Sequence, residues 1–226
     1  MCKYTTLLMD LDNTLLDFYK SEKESIRSVF LELNLDSSDF ALQLYSDIND
    51  SFWKRFERGE IAISEIYVGR FKEFLKQTNQ TADPEFINKR YFHYLSQSVF
   101  KLPYYNEIID YLQSKDYKIY IITNGAASNQ HSRIKISGLD KIIKGLFISE
   151  EMGAQKPEKA FFDIVFKNIP EKDKSKILVI GDSISSDILG GINAGVDTCL
   201  INEKPAPENV TPTYKINNLL ELKNIL

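Results

Sequence analysis

The stretch TTLLMDLDNT, residues 5–14, decides how the rest of the chain reads. Residues 5–9 form a short apolar run that stops at Asp10, the pattern of a strand buried on both faces. Asp10 and Asp12 follow at spacing i, i+2. In extended chain such side chains point to the same side, about 6–7 Å apart. Two carboxylates so placed repel each other unless a cation or a proton lies between them. Asp at a strand end also serves as a turn or capping residue, so the pair alone does not decide function.

Working outward, no second buried strand is met until YKIYIIT, residues 117–123. The intervening block is charged and aromatic at helical spacing. Ile26, Val29, Phe30 and Leu33 form one stripe; Phe52, Trp53 and Phe56 belong to a second helix; Ile66, Phe71, Phe74 and Leu75 to a third. Asp83-Pro84 opens a fourth, with Asp as N-cap and Pro at the first helical position. From residue 98 onward strands and helices alternate. Helices are expected at 106–114, 126–138, 158–168, 185–194 and 219–226, and strands at 117–123, 145–149, 176–181 and 197–201. Gly195 reads as a helix C-cap, and Pro205, Pro207 and Pro212 mark a late loop. Alternation of this kind predicts an α/β fold, a Rossmann-like parallel sheet covered on both faces. The core is expected over 1–17 and 98–226, with a helical domain inserted over 18–97.

Bulk composition is that of an ordinary soluble chain. Of 226 residues, 43% are hydrophobic and 27% charged, enough for a sizeable core. A net charge of −4 gains nothing from a phosphate backbone, which argues against a nucleic-acid polymer as partner. Cys2 and Cys199 read as incidental or buried thiols with no disulfide or metal pattern, favouring a reducing, cytoplasmic setting. No segment reads as a signal peptide or a membrane span.

Three further motifs carry chemistry. ITNG, residues 122–125, ends a strand and opens a helix, whose free N–H groups and partial positive charge suit a phosphate. Lys156-Pro157 leads into the next helix, and a lysine ammonium is a compact charge suited to a phosphate oxygen. GDSISSD, residues 181–187, places Asp182 at a strand end and Asp187 one turn into a helix, a hard-oxygen set of the kind magnesium takes. All four signals fall on one edge of the expected sheet, where ligands bind in open parallel sheets.

In the order and spacing of these motifs, and in the helical block after the first strand, the chain resembles the haloacid dehalogenase (HAD) superfamily of phosphohydrolases. FERGEIAISEIYVGRF, ITNGAASNQHSRIKISGL, ISEEMGAQKP and GDSISSDILGGINAGVDTCLIN resemble the YjjG-type pyrimidine 5′-nucleotidase branch. The resemblance implies a magnesium-dependent phosphomonoesterase that works through an aspartyl-phosphate. Asp10 is then the nucleophile and Asp12 the general acid/base. Asp10 and Asp182 would hold Mg2+ by their side chains and Asp12 by its backbone carbonyl, with Asp187 beside these ligands. Thr123, the Asn124 backbone and Lys156 would hold the phosphoryl oxygens. The inserted domain would be a cap that closes over the site, excludes water and reads the leaving group, with Phe18, Trp53, Tyr67 and Arg70 as candidates for contact with base or ribose. The expected partner is a small phosphorylated metabolite, a nucleoside monophosphate before a sugar phosphate. Dehalogenation, which needs no metal and no second carboxylate, is disfavoured by Asp12. Asn13 stands where many relatives have glycine, and no role is assigned to it.

Overall fold

The computed structural model describes residues 3–201 and 210–226. Cys2, Pro205 and Pro207 lie outside the described residues. The chain divides into two compact units, Met1–Asp17 with Lys101–Leu226, and Phe18–Phe100.

The first unit is built on a six-stranded sheet: β1 (Thr6–Met9), β2 (Lys118–Thr123), β3 (Gly145–Ile148), β4 (Ile177–Gly181), β5 (Asp197–Ile201) and β6 (Tyr214–Ile216). Strand order is β3-β2-β1-β4-β5-β6, and all pairings are parallel. The expected α/β class is thus the observed one. Every residue of β1 and β4 is buried, so both sheet faces are covered. Leu8, Ile122 and Val179 pack on one face with Phe161, Phe162 and Val165.

Its helices are α5 (Tyr105–Ser114), α6 (Ala127–Ser137), α7 (Ser149–Met152), α8 (Lys159–Asn168) and α9 (Leu189–Ala194); α1 to α4, which precede them in the chain, form the second unit. Gly195, at φ 74°, closes α9 in the left-handed conformation that glycine adopts without strain. Sequence reading missed β6, whose three residues carry no apolar run because it is an edge strand with Lys215 exposed. It also expected one regular helix over 185–194. The segment instead opens with a wide π-type turn, Ile184–Ile188, in which the Ser183 hydroxyl accepts from the Ser186 N–H and the Asp187 carboxylate from the Ser183 N–H. These side-chain acceptors compete with regular α-helical bonding. The expected final helix over 219–226 is a short 3-10 turn, Leu219–Asn224.

The second unit is a bundle of α1 (Phe18–Glu32), α2 (Asp39–Glu57), α3 (Ile63–Thr78) and α4 (Pro84–Gln97). Its core is aromatic: Phe30 stacks on Phe74 at 4.6 Å and Tyr45 on Phe71 at 5.2 Å. The Asp83 carboxylate caps α4 by accepting from the Glu85 N–H. Within this core, Glu22 is 2% exposed and accepts from Ser46 Oγ (2.9 Å) and Asn49 Nδ2 (2.6 Å). Burial pushes its carboxyl up to about 7; the Ser46 bond and the Arg70 charge oppose the rise and Asp50 adds to it.

A raised acid favours the folded state only while it is protonated. Its contribution is full below the unfolded value of 4.5 and is lost as pH rises to about 7. Glu22→Gln should therefore gain on the native protein across that window by on the order of 3 kcal/mol, or roughly 6–12 °C in Tm. Melting curves of both proteins at pH 4.5, 6 and 7.5 check this; a constant difference across pH would refute it.

Candidate active site

The site is assembled by the sheet's topology. From β1 the chain winds outward to β2 and β3 on one side and to β4, β5 and β6 on the other, so the carboxyl end of β1 is the switch point. Met9 is in register with Ile121 of β2 and Ile180 of β4, and the Asp10 N–H continues the ladder to the Ile180 carbonyl at 2.9 Å. Asp10, Thr123 and Asp182 thus emerge from three adjacent strands. Asn13 turns the chain at φ 55°, a left-handed conformation that asparagine tolerates better than most residues. That is the reason a small or amide residue stands there.

Asp10 is 6% exposed, and each carboxylate oxygen has a donor: Lys156 Nζ to Oδ1 at 2.7 Å and Thr14 Oγ1 to Oδ2 at 3.2 Å. Lys156 is 2% exposed and spends all three ammonium hydrogens, on Asp10, on Asp187 Oδ1 (2.6 Å) and on the Ile122 carbonyl (3.0 Å). Burial pulls it down, but Asp10 and Asp187 more than offset that and hold it above its ordinary value. Asn124 fixes the loop that delivers this lysine: its side chain donates to the Lys156 carbonyl (2.9 Å) and accepts from the Lys156 N–H (3.0 Å).

Oxygens of Asp10, Asp182 and Asp187 lie within 4.8 Å of one another. Burial pushes Asp10 up to about 7, with Lys156 opposing and Asp187 and Asp12 adding to the rise. Burial, then Asp10 and Asp187, raise Asp182 well above the carboxylate range. This crowding of negative charge in an oxygen-only donor set fits a hard divalent cation, and the three carboxylates could hold one. A β-carbon at Gly181 would fall on the Asp187 carboxylate, so only glycine leaves room for that side chain.

Two buried residues of this site escaped the sequence reading. Arg133, 1% exposed, pairs with Asp12 Oδ1. Gln130 Nε2 donates to Asp12 Oδ2 at 2.8 Å and to Thr123 Oγ1 at 2.7 Å. The signal was present in α6: Asn129, Gln130, Arg133 and Ser137 are buried at helical spacing, a polar face turned inward.

The four candidate specificity residues all lie in the second unit. Phe18 packs against the aromatic core, Trp53 meets Phe56 edge-on at 5.7 Å, and Tyr67 meets Phe92 edge-on at 4.9 Å. Arg70 is 2% exposed, donates to Asn49 Oδ1 (2.7 Å) and Asn88 Oδ1 (3.1 Å), and lies over Tyr91 at 4.7 Å. Its guanidinium is engaged inside its own unit. His93 and His131 are exposed, the latter bonded to Glu151.

Residues 4–195 match the family model for haloacid dehalogenase-like hydrolases. The chain belongs to that family. HAD relatives align over nearly its whole length: the HAD-hydrolase YfnB of Bacillus subtilis at 37% identity (100% of this chain, 97% of YfnB) and the pyrimidine 5′-nucleotidase PynA of Streptococcus pneumoniae at 35% (99% and 97%). The pyrimidine 5′-nucleotidase YjjG of Escherichia coli matches at 31% (99% and 98%). The crystal structure of YfnB superposes with a TM-score of 0.93 at 36% identity, covering 99% of this chain and 98% of that one; it is described as bound to magnesium, with interdomain movement. As a HAD hydrolase the protein is an enzyme. Among the described residues no helix is long and apolar enough to cross a membrane.

Proposed function

We propose that the protein is a magnesium-dependent phosphomonoesterase acting through an aspartyl-phosphate, with pyrimidine nucleoside 5′-monophosphates as its substrates and the cytoplasm as its setting. The observation that carries the reaction is the buried Asp10, bracketed by Lys156 and Thr14, with a second carboxylate two residues on. The substrate class rests on PynA and YjjG, which match over essentially the full length of both chains.

In this reading Asp10 Oδ attacks phosphorus and the ester oxygen leaves, taking a proton from Asp12. Asp12 then removes a proton from the water that cleaves the acyl phosphate, which releases phosphate and restores Asp10. Thr123, the Asn124 backbone N–H and Lys156 hold the phosphoryl oxygens. Lys156 exchanges one of its present acceptors for phosphate and keeps its charge, because Asp187 stays beside it. Asp10, Asp182 and the Asp12 carbonyl would hold Mg2+, with Asp187 adjacent. When bound, the ion offsets the repulsion between an anionic nucleophile and an anionic ester.

A substrate panel tests the proposal. With magnesium, UMP, dUMP and dTMP should be hydrolysed, and removal of the metal by EDTA should lower the rate at least about 100-fold, restored by magnesium. A sugar phosphate hydrolysed about tenfold faster than every pyrimidine nucleotide would overturn the substrate class. Full activity in EDTA would overturn the metal requirement.

A further inference from the structure

Donor and acceptor chemistry around α6 fixes more than the position of one carboxylate. An arginine guanidinium can only donate. Arg133 donates to Asp12 Oδ1 and, at 3.0 Å, to Gln130 Oε1. That contact settles which way the Gln130 amide faces, since its oxygen must point at Arg133. Its nitrogen therefore points at Asp12 Oδ2 and Thr123 Oγ1, and both N–H groups are spent there. Thr123 Oγ1 also accepts from the Gly125 N–H at 3.1 Å. Two pure donors thus occupy the acceptor side of the Thr123 hydroxyl, and its own proton must be aimed elsewhere.

Gly125 belongs to the same arrangement. A β-carbon there would fall on the Gln130 amide, so the glycine leaves the space that the amide fills. Neither Gln130 nor Arg133 is accessible: they are 1% exposed each.

We propose that Gln130 and Arg133 are a positioning pair that fixes the Asp12 carboxylate and aims the Thr123 hydroxyl proton toward the phosphoryl group, an inference that rests on the phosphatase reading above. The pair ties the proton-transfer group and a phosphate-holding group to one helix. A bridge of this kind sets two distances with one side chain.

The test separates positioning from mere packing by its dependence on the leaving group. Nitrophenolate departs without a proton, whereas a nucleoside alkoxide needs one. The quantity kcat/KM covers only steps up to phosphoryl transfer, so the later work of Asp12 as a base does not enter. Arg133→Lys keeps the charge, but its nitrogen ends one atom short of Nη1, the single nitrogen that serves both Asp12 and Gln130. It should lower kcat/KM for UMP by about tenfold or more, and that for p-nitrophenyl phosphate by less than about threefold. Arg133→Met should widen the split. Gly125→Ala pushes the Gln130 amide aside without removing a polar group. It should weaken inhibition by inorganic phosphate by about tenfold, because the Thr123 proton is no longer held in direction. Equal losses on both esters in Arg133→Lys, or no loss on either, would overturn the role at Asp12; unchanged phosphate inhibition in Gly125→Ala would overturn the role at Thr123. Native protein and Asp10→Asn are run beside them. If the native protein hydrolyses neither ester, the phosphatase reading falls and takes this one with it. If the native protein is active and Asp10→Asn is not, the variants judge the pair alone.

Discussion

Asp10→Asn is expected to lower kcat for UMP by roughly 10⁴-fold or more while leaving phosphate binding intact. An amide is isosteric with a carboxylate but carries no nucleophilic charge. The local geometry accepts the change: the amide oxygen can face Lys156 Nζ, and the amide nitrogen can face the Thr14 hydroxyl, which is able to accept. The substitution also removes one negative charge beside Asp182 and Asp187, so an incoming phosphate meets less repulsion. Steady-state turnover and calorimetric titration with inorganic phosphate check the two halves. Unchanged turnover would sink the covalent mechanism. Loss of both turnover and phosphate binding, with the fold intact, would leave Asp10 a binding group and no more.

Lys156→Met should produce the second large effect, and on stability as well as activity. The lysine sits between two buried carboxylates at 2.7 and 2.6 Å. Methionine matches its stem in length and flexibility but leaves both acids without that cation. Breaking a buried ion pair by removing one partner costs about 3–5 kcal/mol, or roughly 6–20 °C in Tm for a chain of this size. Charge logic gives the loss a signature. The exposed need for a cation should make the variant more responsive to magnesium than the native protein, so adding the metal should raise its Tm by the larger amount. Thermal melts with and without magnesium measure this. A variant that melts with the native protein would show that the three contacts of Lys156 contribute nothing net.

How far the sequence could be read follows from where each residue sits. Asp10, Thr123 and Asp182 stand at strand ends, and buried strands announce themselves as unbroken apolar runs, while Lys156 is marked by the proline that follows it just before α8. Asp12 came with Asp10 because the period of a strand is two. Gln130 and Arg133 had no such marker. They lie in a helix whose neighbouring His131 and Lys135 are exposed, and arginine in such company reads as a solvated side chain. Its burial depends on the Asp12 carboxylate, which is 121 positions away in the chain. The side chain of Asn124 was missed for a similar reason: it grips the Lys156 backbone 32 positions on. In the second unit the difficulty is different. Phe18, Trp53, Tyr67 and Arg70 recur at the same helical spacing as core aromatics such as Phe30, Phe71 and Tyr91, so periodicity cannot separate packing from recognition. Arg70 shows how far that ambiguity reaches, since a charged side chain there is sealed among aromatic rings.

The ends of the first unit at the insertion are stitched to each other. Leu16 pairs with Lys101 as an antiparallel bridge, and the Leu102 N–H reaches the Leu15 carbonyl at 3.1 Å. The chain therefore departs and comes back at one point. Seen from the sheet, everything from Phe18 to Phe100 is a single loop with clamped ends. The entropy of closing a loop grows only with the logarithm of its length, so doubling it costs only about 0.6 kcal/mol. A clamp of this sort makes the sheet nearly indifferent to the size of what hangs from it. Inserts can be lengthened, trimmed or exchanged at that point with little change to the spacing of Asp10, Thr123 and Asp182, and the chemistry can stay fixed while the inserted unit diversifies.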